Sequence, residues 1–478
     1  MTVAYPPIPT SQHLPDNAVT VHKFGGTSVG GPSQFVQVRD LVVRLSRGNK
    51  EKPVIVVSAM SGVTTKLYNA ITLAVSGADF EKCLNEVFTI HADCLSQLAV
   101  DSAISSAARD SLTATVKTDI HSISDHLAIV SKSHKCPALI EDVIVAYGEI
   151  WSSQILSLLV SSSGLSSEWV NARDFLFLSP LSGKDVRIDW KRSHAPVALG
   201  DGVPVITGFL ATSSAGLPTT LKRNGSDHSG AIVANLCKAA CLTIWTDVDG
   251  IYSADPRVVP DARMVKTMSY KEAAELAYFG AKVIHPQTMA PCVSRNIPVV
   301  LRNTFNLACT GTAICAVPEQ PARAATIIPE IALVNVEGSG LFGFSGIAAK
   351  LFAAVAAADT NIVMITQASS EYSICFAVPV GDASVCADAV RLAFAAEIAD
   401  GGIDVTVDAS AAIVAAVGDG MHQQVGLLGT LASALGEMKV NVRAVAQGSS
   451  ERNITFVVNE SEGVLALRSI HAALVPSL

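Results

Sequence analysis

The stretch Val21–Gly30 reads VHKFGGTSVG, an apolar run ending on a lysine that is followed at once by two glycines and two hydroxyl residues. A strand that stops at Lys23 would leave the Gly25 and Gly26 amides unshielded, with Thr27 and Ser28 beside them. Glycine lets a ligand approach the backbone closely, and a turn of exposed amides forms an anion-binding nest. One ammonium beside such a nest suits a phosphoryl group whose charge spreads during transfer. A tight turn with a snorkelling lysine reads the same way. The stretch is neither a Walker A loop, whose lysine follows the glycines, nor G-x-G-x-x-G.

Around it, short apolar runs alternate with helical patterns over the first 300 or so residues. AVTVHKF, PVIVVSAM, VPVITGF, CLTIWT and IPVVLRN read as buried strands. Between the first two, SQFVQVRDLVVRLSRG places Phe35, Val38, Val42 and Leu45 on one helical face, with Gly48 as a stop. This alternation predicts an α/β fold, a three-layer αβα sandwich with a largely parallel sheet. Ligands of such folds gather beyond the carboxyl ends of the strands.

The chain has 478 residues, 49% of them hydrophobic and 16% charged, with a net charge of −8. That length predicts more than one domain. The acidic balance argues against a nucleic-acid binder, and no uninterrupted apolar window reaches the length of a membrane helix. Residues 1–17 carry four prolines and no lysine or arginine, and read as a disordered leader, not a targeting signal. The ten cysteines include no C-x-x-C pair and read as buried small hydrophobes in a reducing compartment, the cytosol, with a plastid as the alternative.

After EQPARAA, a linker, the sequence repeats itself. TNIVMITQASSEYSICFAV and VNVRAVAQGSSERNITFVV align without gaps 80 residues apart, pairing Asn361 with Asn441 and Gln367 with Gln447. Gly338, Gly340 and Gly346 match Gly418, Gly420 and Gly426. Each copy reads strand, helix, strand, strand, helix, and matched loops on a duplicated scaffold suggest paired small-ligand sites.

Two further clusters carry chemistry. TTLKRNGSDHSGAIVANL sets a polar turn before a helix, where Ser226 or Asp227 can cap the first amides and the helix start favours an anion. WTDVDGIYSADPR follows a strand with three acids, a tyrosine and Arg257. Carboxylates there would repel a triphosphate unless they face ribose or base, bind a cation, or pair with Arg257. YFGAKVIHP adds Lys282 near a helix end.

With these motifs in order, together with VSAMSGVT, YGEIWSS and VITGF, the chain resembles the aspartokinases from about residue 20 onward. ITQASSEYSICF, AQGSSER and Asn224 most resemble the aspartokinase half of bifunctional aspartokinase–homoserine dehydrogenases, the threonine-sensitive branch, and no dehydrogenase module is expected after the second repeat. The resemblance implies an amino-acid-kinase domain over 18–318 and tandem βαββαβ ACT domains over 326–402 and 403–478, interleaved through the strand IDVTV. It implies transfer of the γ-phosphoryl of ATP, with Mg²⁺, to the side-chain carboxylate of L-aspartate. Because the nucleophile is already an anion, no strong base is needed; two negative groups must be brought together and their repulsion neutralised.

On the matching positions, the resemblance assigns catalysis to Lys23 and Asp227 and the phosphates to Lys23, Gly25, Gly26 and Ser28. It assigns aspartate to Thr64, Glu149, Arg223 and Ser226, the nucleotide to Thr246, Asp247, Tyr252, Arg257 and Lys282, and an effector, threonine, to Asn361, Gln367, Asn441 and Gln447. No protein-only metal site is implied, the Mg²⁺ travelling with the phosphates. A homodimer or tetramer through the ACT domains is expected, without membrane or nucleic-acid partners. Ile150, Lys222 and His228 depart from the usual pattern, and Lys222 stands where glycine is usual. Arg173 matches a family position and reads as structural or functional. Another amino-acid kinase, or a silent amino-acid sensor, is the competing reading.

Overall fold

The computed structural model describes residues 17–46, 51–101, 103–180, 186–196, 202–222, 225–280, 286–339, 346–367, 373–421 and 423–475. It divides by contacts into two units, one of residues 1–251 with 284–318, the other of 252–283 with 319–478. The segment 252–283, which sequence alone places in the kinase domain, thus groups with the repeats.

The first unit is built on a sheet of β1 (Ala18–Phe24), β2 (Glu51–Val57), β3 (Ser167–Val170), β4 (Val203–Thr207), β5 (Cys241–Thr246), β6 (Val299–Asn303) and β7 (Thr312–Cys315). Within the unit their order is β7-β6-β5-β1-β2-β4-β3. Every pair is parallel except β6 with β7. The five strands foreseen from sequence are β1, β2, β4, β5 and β6. Their burial explains the unbroken apolar runs, since β4 is buried at all five positions.

Helices α1 (Pro32–Ser46), α2 (Val63–Ser76), α3 (Glu81–Val100), α4 (Ser106–Ser133), α5 (Ala138–Ser162), α6 (Gly225–Leu236) and the shorter Pro286–Val293 belong to the unit, which also holds a four-stranded sheet in the order Val186–Ile188, Phe177–Pro180, Leu210–Ser213, Pro218–Thr220. α1 buries Phe35, Val38 and Val42 of the stripe read from its period together with Leu41, while Leu45 is half-buried; Gly48 lies outside the described residues. By length and composition α5 could cross a membrane. Here it is a core helix whose Ile144, Trp151, Ile155 and Leu159 are fully buried.

The second unit carries the repeat. β8 (Ala324–Glu337), α8 (Ile347–Ala357), β9 (Met364–Gln367), β10 (Ser373–Pro379) and α9 (Ala383–Ala393) form the first copy. β11 (Asp404–Val417), α10 (Leu427–Glu437), β12 (Ala444–Gln447), β13 (Asn453–Asn459) and α11 (Gly463–Leu474) form the second. Their order is β9-β10-β8-β11-β13-β12, antiparallel throughout. The long strands β8 and β11 run through both copies: Val405 pairs with Val336, and Val417 with Ala324. The IDVTV strand thus bridges the copies, and the register breaks near Ile328–Ile331, where Glu330 takes φ +56°.

Each copy has its own core, around Phe376 and Phe394 in the first and Phe456 and Leu467 in the second. Ala254 and Val259 join the second core, and α7 (Tyr270–Tyr278) is tied to the same copy. Glu272 of α7 is fully buried and accepts the amides of Ser269 at 2.6 Å and of Ala322 and Asp419 at 2.8 Å each. Buried carboxylates persist only when paired in this way. All ten cysteines are free thiols.

Candidate active site

β1 places Lys23 one residue from its end, with the side chain 6% exposed. The strand is held rigid by a chain of hydrogen bonds on its other flank. Trp245 donates its indole N–H to His22 Nδ1 at 3.2 Å, and His22 Nε2 meets the Thr20 hydroxyl at 3.0 Å, which donates to Glu51 at 3.0 Å. The network is self-consistent with a His22 that accepts at Nδ1 and donates at Nε2. Gly230 of α6 lets that helix lie against the lysine stem: a Cβ there would stand 3.1 Å from Lys23 Cβ. The Lys23 ammonium is ion-paired to Asp227 in the first turn of α6.

These groups open on a cavity of about 320 Å³ lined by Lys23, Ser58, Thr64, Tyr68, Glu149, Phe209, Lys222, Gly225, Ser226 and Asp227. It lies at the carboxyl ends of β1, β2 and β4, as expected for a parallel sheet. Two helix starts face it, through Thr64 of α2 and Ser226 of α6, and both favour an anion.

Glu149 enters from α5 because Gly148 lets that helix press on the turn after β2. A Cβ at Gly148 would stand 2.8 Å from Ala59 Cβ. The carboxyl is 4% exposed, and the Ser226 hydroxyl is 3.4 Å from its Oε1 while Oε2 has no hydrogen-bond partner among the described residues. Burial pushes its pKa up to about 8, against the opposing pull of the Ala59 amide, the Ser226 hydroxyl and the Lys23 charge. The ligand-free cavity therefore holds a largely neutral Glu149 at neutral pH.

The structure thus brings together Lys23, Thr64, Glu149, Ser226 and Asp227. Three readings are corrected. The Gly25 amide is not open to a ligand, since it donates to the Trp245 carbonyl at 3.1 Å. The Ser28 hydroxyl is fully buried, 2.7 Å from Thr304 Oγ1 and 3.3 Å from the Trp245 carbonyl, and pins the turn to β5 and β6. α6 begins at Gly225, so Ser226 and Asp227 sit inside its first turn and not at the cap. Arg223 and Lys282 lie outside the described residues.

Thr246 ends β5, with its hydroxyl 3.2 Å from Asp247 Oδ1. Tyr252 and Arg257 belong to the other unit, where Arg257 is 88% exposed and forked onto Asp255 at 2.7 to 3.2 Å. That answers the charge question raised by the acidic loop, because one of its acids is neutralised locally. Sequence reasoning did not assign Ser58, Tyr68 or Phe209 to the site. Phe209 takes φ +67° and sits against Gly225, and its only signal was its place directly after a strand that ends in glycine.

In the second repeat a cavity of about 270 Å³ is lined by Met421, Gln423, Gln424, Val425, Gly426, Leu427, Leu428, Gln447, Glu451 and Ile454. Gln447 is in it; Asn441 is exposed and outside its lining. Gln367 is the equivalent exposed end of β9, beside Asn361, and the loop that follows it lies outside the described residues.

The amino acid kinase family profile matches residues 18–303, and the ACT domain profile matches 334–394 and 414–474. The chain belongs to the amino acid kinase family. Within it, the paired ACT repeats and the relatives place the chain among the aspartokinases. It is 39% identical over 95% of its length to the bifunctional aspartokinase/homoserine dehydrogenase 2, chloroplastic, of Arabidopsis thaliana, and spans about half (50%) of that relative. It is 28% identical to the aspartokinase of Saccharomyces cerevisiae, over 98% of this chain and 94% of that one. The fold is shared with E. coli aspartokinase III in complex with aspartate and ADP, at TM-score 0.78 and 24% identity over 95% of this chain and 99% of that one.

Proposed function

We propose that the chain transfers the γ-phosphoryl of ATP to the side-chain carboxylate of L-aspartate, giving 4-phospho-L-aspartate and ADP, the first step toward the aspartate-derived amino acids. The observation that carries this is one cavity holding a strand-tip ammonium paired to Asp227 and, from α5, a buried Glu149 whose Oε2 has no hydrogen-bond partner among the described residues. Lys23 neutralises the repulsion between the entering carboxylate and the triphosphate as charge spreads over the transferring group. Glu149 accepts the substrate α-ammonium, and Thr64 and Ser226 orient the carboxylates. Arg223 is assigned the α-carboxylate and Lys282 a place at the nucleotide with Thr246, Asp247, Tyr252 and Arg257.

Among the described residues no group of three or more His, Cys, Asp or Glu could hold a metal. A single carboxylate, Asp227, at the phosphate end fits a Mg²⁺ carried mainly by nucleotide oxygens and water, where it would offset phosphate charge.

The Gln447 cavity is the effector site, and threonine is its ligand by resemblance to the threonine-sensitive branch. E. coli aspartokinase III has been solved with lysine, which makes lysine the control. Association of copies through the repeats as a dimer or tetramer is read out by sedimentation. The plant relatives are named chloroplastic, which favours a plastid over the cytosol as the compartment to examine first.

ADP release with aspartate, glutamate, acetylglutamate and carbamate as acceptors tests the activity. Aspartate alone should support turnover, and Lys23→Met should lower it by about 10² to 10³. Equal release by the two proteins would sink the mechanism, and turnover with another acceptor would sink the substrate.

A further inference from the structure

Among the charged residues lining the cavity, Lys222 is the one that the kinase reading leaves without a task. It takes φ +59°, a backbone region where a glycine would sit without strain. A lysine there has a side chain that must justify the conformation, and its surroundings show how. The ammonium is 2.6 Å from Asp142 Oδ1. Asp142 is 5% exposed and also accepts the hydroxyls of Thr219 at 2.9 Å and Thr220 at 3.0 Å. The carboxylate is thereby fixed, and it fixes the ammonium in turn.

The ammonium is not used up by this pair. Lys222 remains 48% exposed and lines the cavity, and an ammonium has three donors, of which the bond to Asp142 takes one. Asp142 also lies within the electrostatic reach of Arg173, whose Nε and Nη2 have no hydrogen-bond partner among the described residues. Two cations thus stand near Asp142, while the carboxylates of Glu141, Asp142 and Glu149 all act on Tyr68 of the same lining.

Geometry separates this end from the phosphate end. Asp142 and Glu149 are both on α5, seven residues apart, which is roughly 10 Å at the helical rise. The ammonium and α-carboxylate of one amino acid, with a hydrogen bond of about 3 Å at each end, bridge Glu149 and the ammonium held at Asp142 over such a span. Lys23 and Asp227, by contrast, meet at the tip of β1 and the start of α6.

We propose that Lys222, oriented by Asp142, is a substrate-positioning residue that receives the α-carboxylate of the amino-acid substrate while Glu149 holds its ammonium, and so leaves the side-chain carboxylate to Lys23. This rests on the assignment of the cavity to aspartate. It adds a cation that the family pattern, with glycine at this place, does not provide.

The test is calorimetric binding of L-aspartate and, separately, of ADP to the full chain and to Lys222→Met, Lys222→Gly and Lys222→Arg, with turnover measured alongside. Losing a charge-assisted hydrogen bond should weaken aspartate roughly tenfold in Lys222→Met, with ADP affinity within about twofold of the parent. Lys222→Arg should stay within about threefold. Lys222→Gly should lose aspartate affinity like the methionine variant yet melt no lower than the parent, because it relieves the backbone. Aspartate affinity unchanged in Lys222→Met, or aspartate and ADP weakened together, would overturn the proposal. A parent that binds aspartate without phosphorylating it would overturn the activity reading and leave the role of Lys222 to be decided on binding. A parent that does not bind aspartate would overturn both.

Discussion

Glu149 is a carboxyl that function needs charged and burial keeps neutral. Its pKa is pushed from 4.5 to about 8 by removal from water, so the free protein must lose a proton from it before or as an ammonium docks. Aspartate affinity should therefore rise with pH, by up to tenfold per unit, from about pH 6 to about 8, and level off above. The check is KM for aspartate measured across that range, with Glu149→Gln as the variant that should show weak binding and no such slope. The stability sign is opposite. A carboxyl whose folded pKa lies above its unfolded value binds more protons in the folded state, so folding stability falls as pH rises from about 4.5 to about 8. Glu149→Gln lacks that penalty. It should melt above the parent at pH 9 and near it at pH 5; a uniform offset at both pH values would mean that the carboxyl is not titrating in this window.

At the level of elements, the site exists because helices can approach turns closely, and this was only partly legible in the sequence. The strands were readable because burial on both faces forces unbroken apolar runs, and Lys23 stood out as a charge ending one of them. The rest depended on non-local packing. GE in YGEIWSS gives a glutamate on a helix, but nothing local says that Gly148 is what lets α5 reach Ala59 and bury that glutamate. Likewise, two glycines in KFGG promise two free amides, yet the Trp245 carbonyl, more than 200 residues away in sequence, takes the first. Gly148→Ala should cost about 1–3 kcal/mol by overpacking and raise KM for aspartate more than KM for ATP, because the displaced element carries Glu149. Thermal melting and paired KM measurements check this. Glu272→Gln is the corresponding prediction in the second unit. Its carboxylate accepts three backbone amides, and an amide NH₂ in place of one oxygen would face a donor with a donor. It should cost about 2 kcal/mol, seen as a lower melting temperature of the unit that holds the repeats.

On the scale of the whole chain, one packing fact organises regulation. The segment after Ile251, with the expected nucleotide residues Tyr252 and Arg257, shares a core with the second repeat through Ala254 and Val259. Ser253 Oγ is 2.8 Å from His471 Nε2, with both residues buried. The same unit holds the Gln447 cavity, and its rim is wired to α7. The Gln423 amide donates to Glu451 at 2.8 Å, Asp419 pairs with Arg452, and the Ser269 hydroxyl donates to Asp419 at 2.7 Å. A ligand at Gln447 therefore acts on residues continuous with that segment. Binding alone does not inhibit; the effector must favour the inactive arrangement over the active one, and the coupling is reciprocal. Gln447→Ala should raise the threonine concentration for half-inhibition at least tenfold while leaving uninhibited turnover within about twofold, since the residue is no part of the kinase cavity. In the parent, the factor by which saturating threonine weakens aspartate binding should equal the factor by which saturating aspartate weakens threonine binding, measured by calorimetry. Threonine inhibition unaltered in Gln447→Ala, with lysine inert, would remove that side chain from the effector site; a weakening of aspartate that grows without limit as threonine rises would mean that threonine competes in the kinase cavity itself.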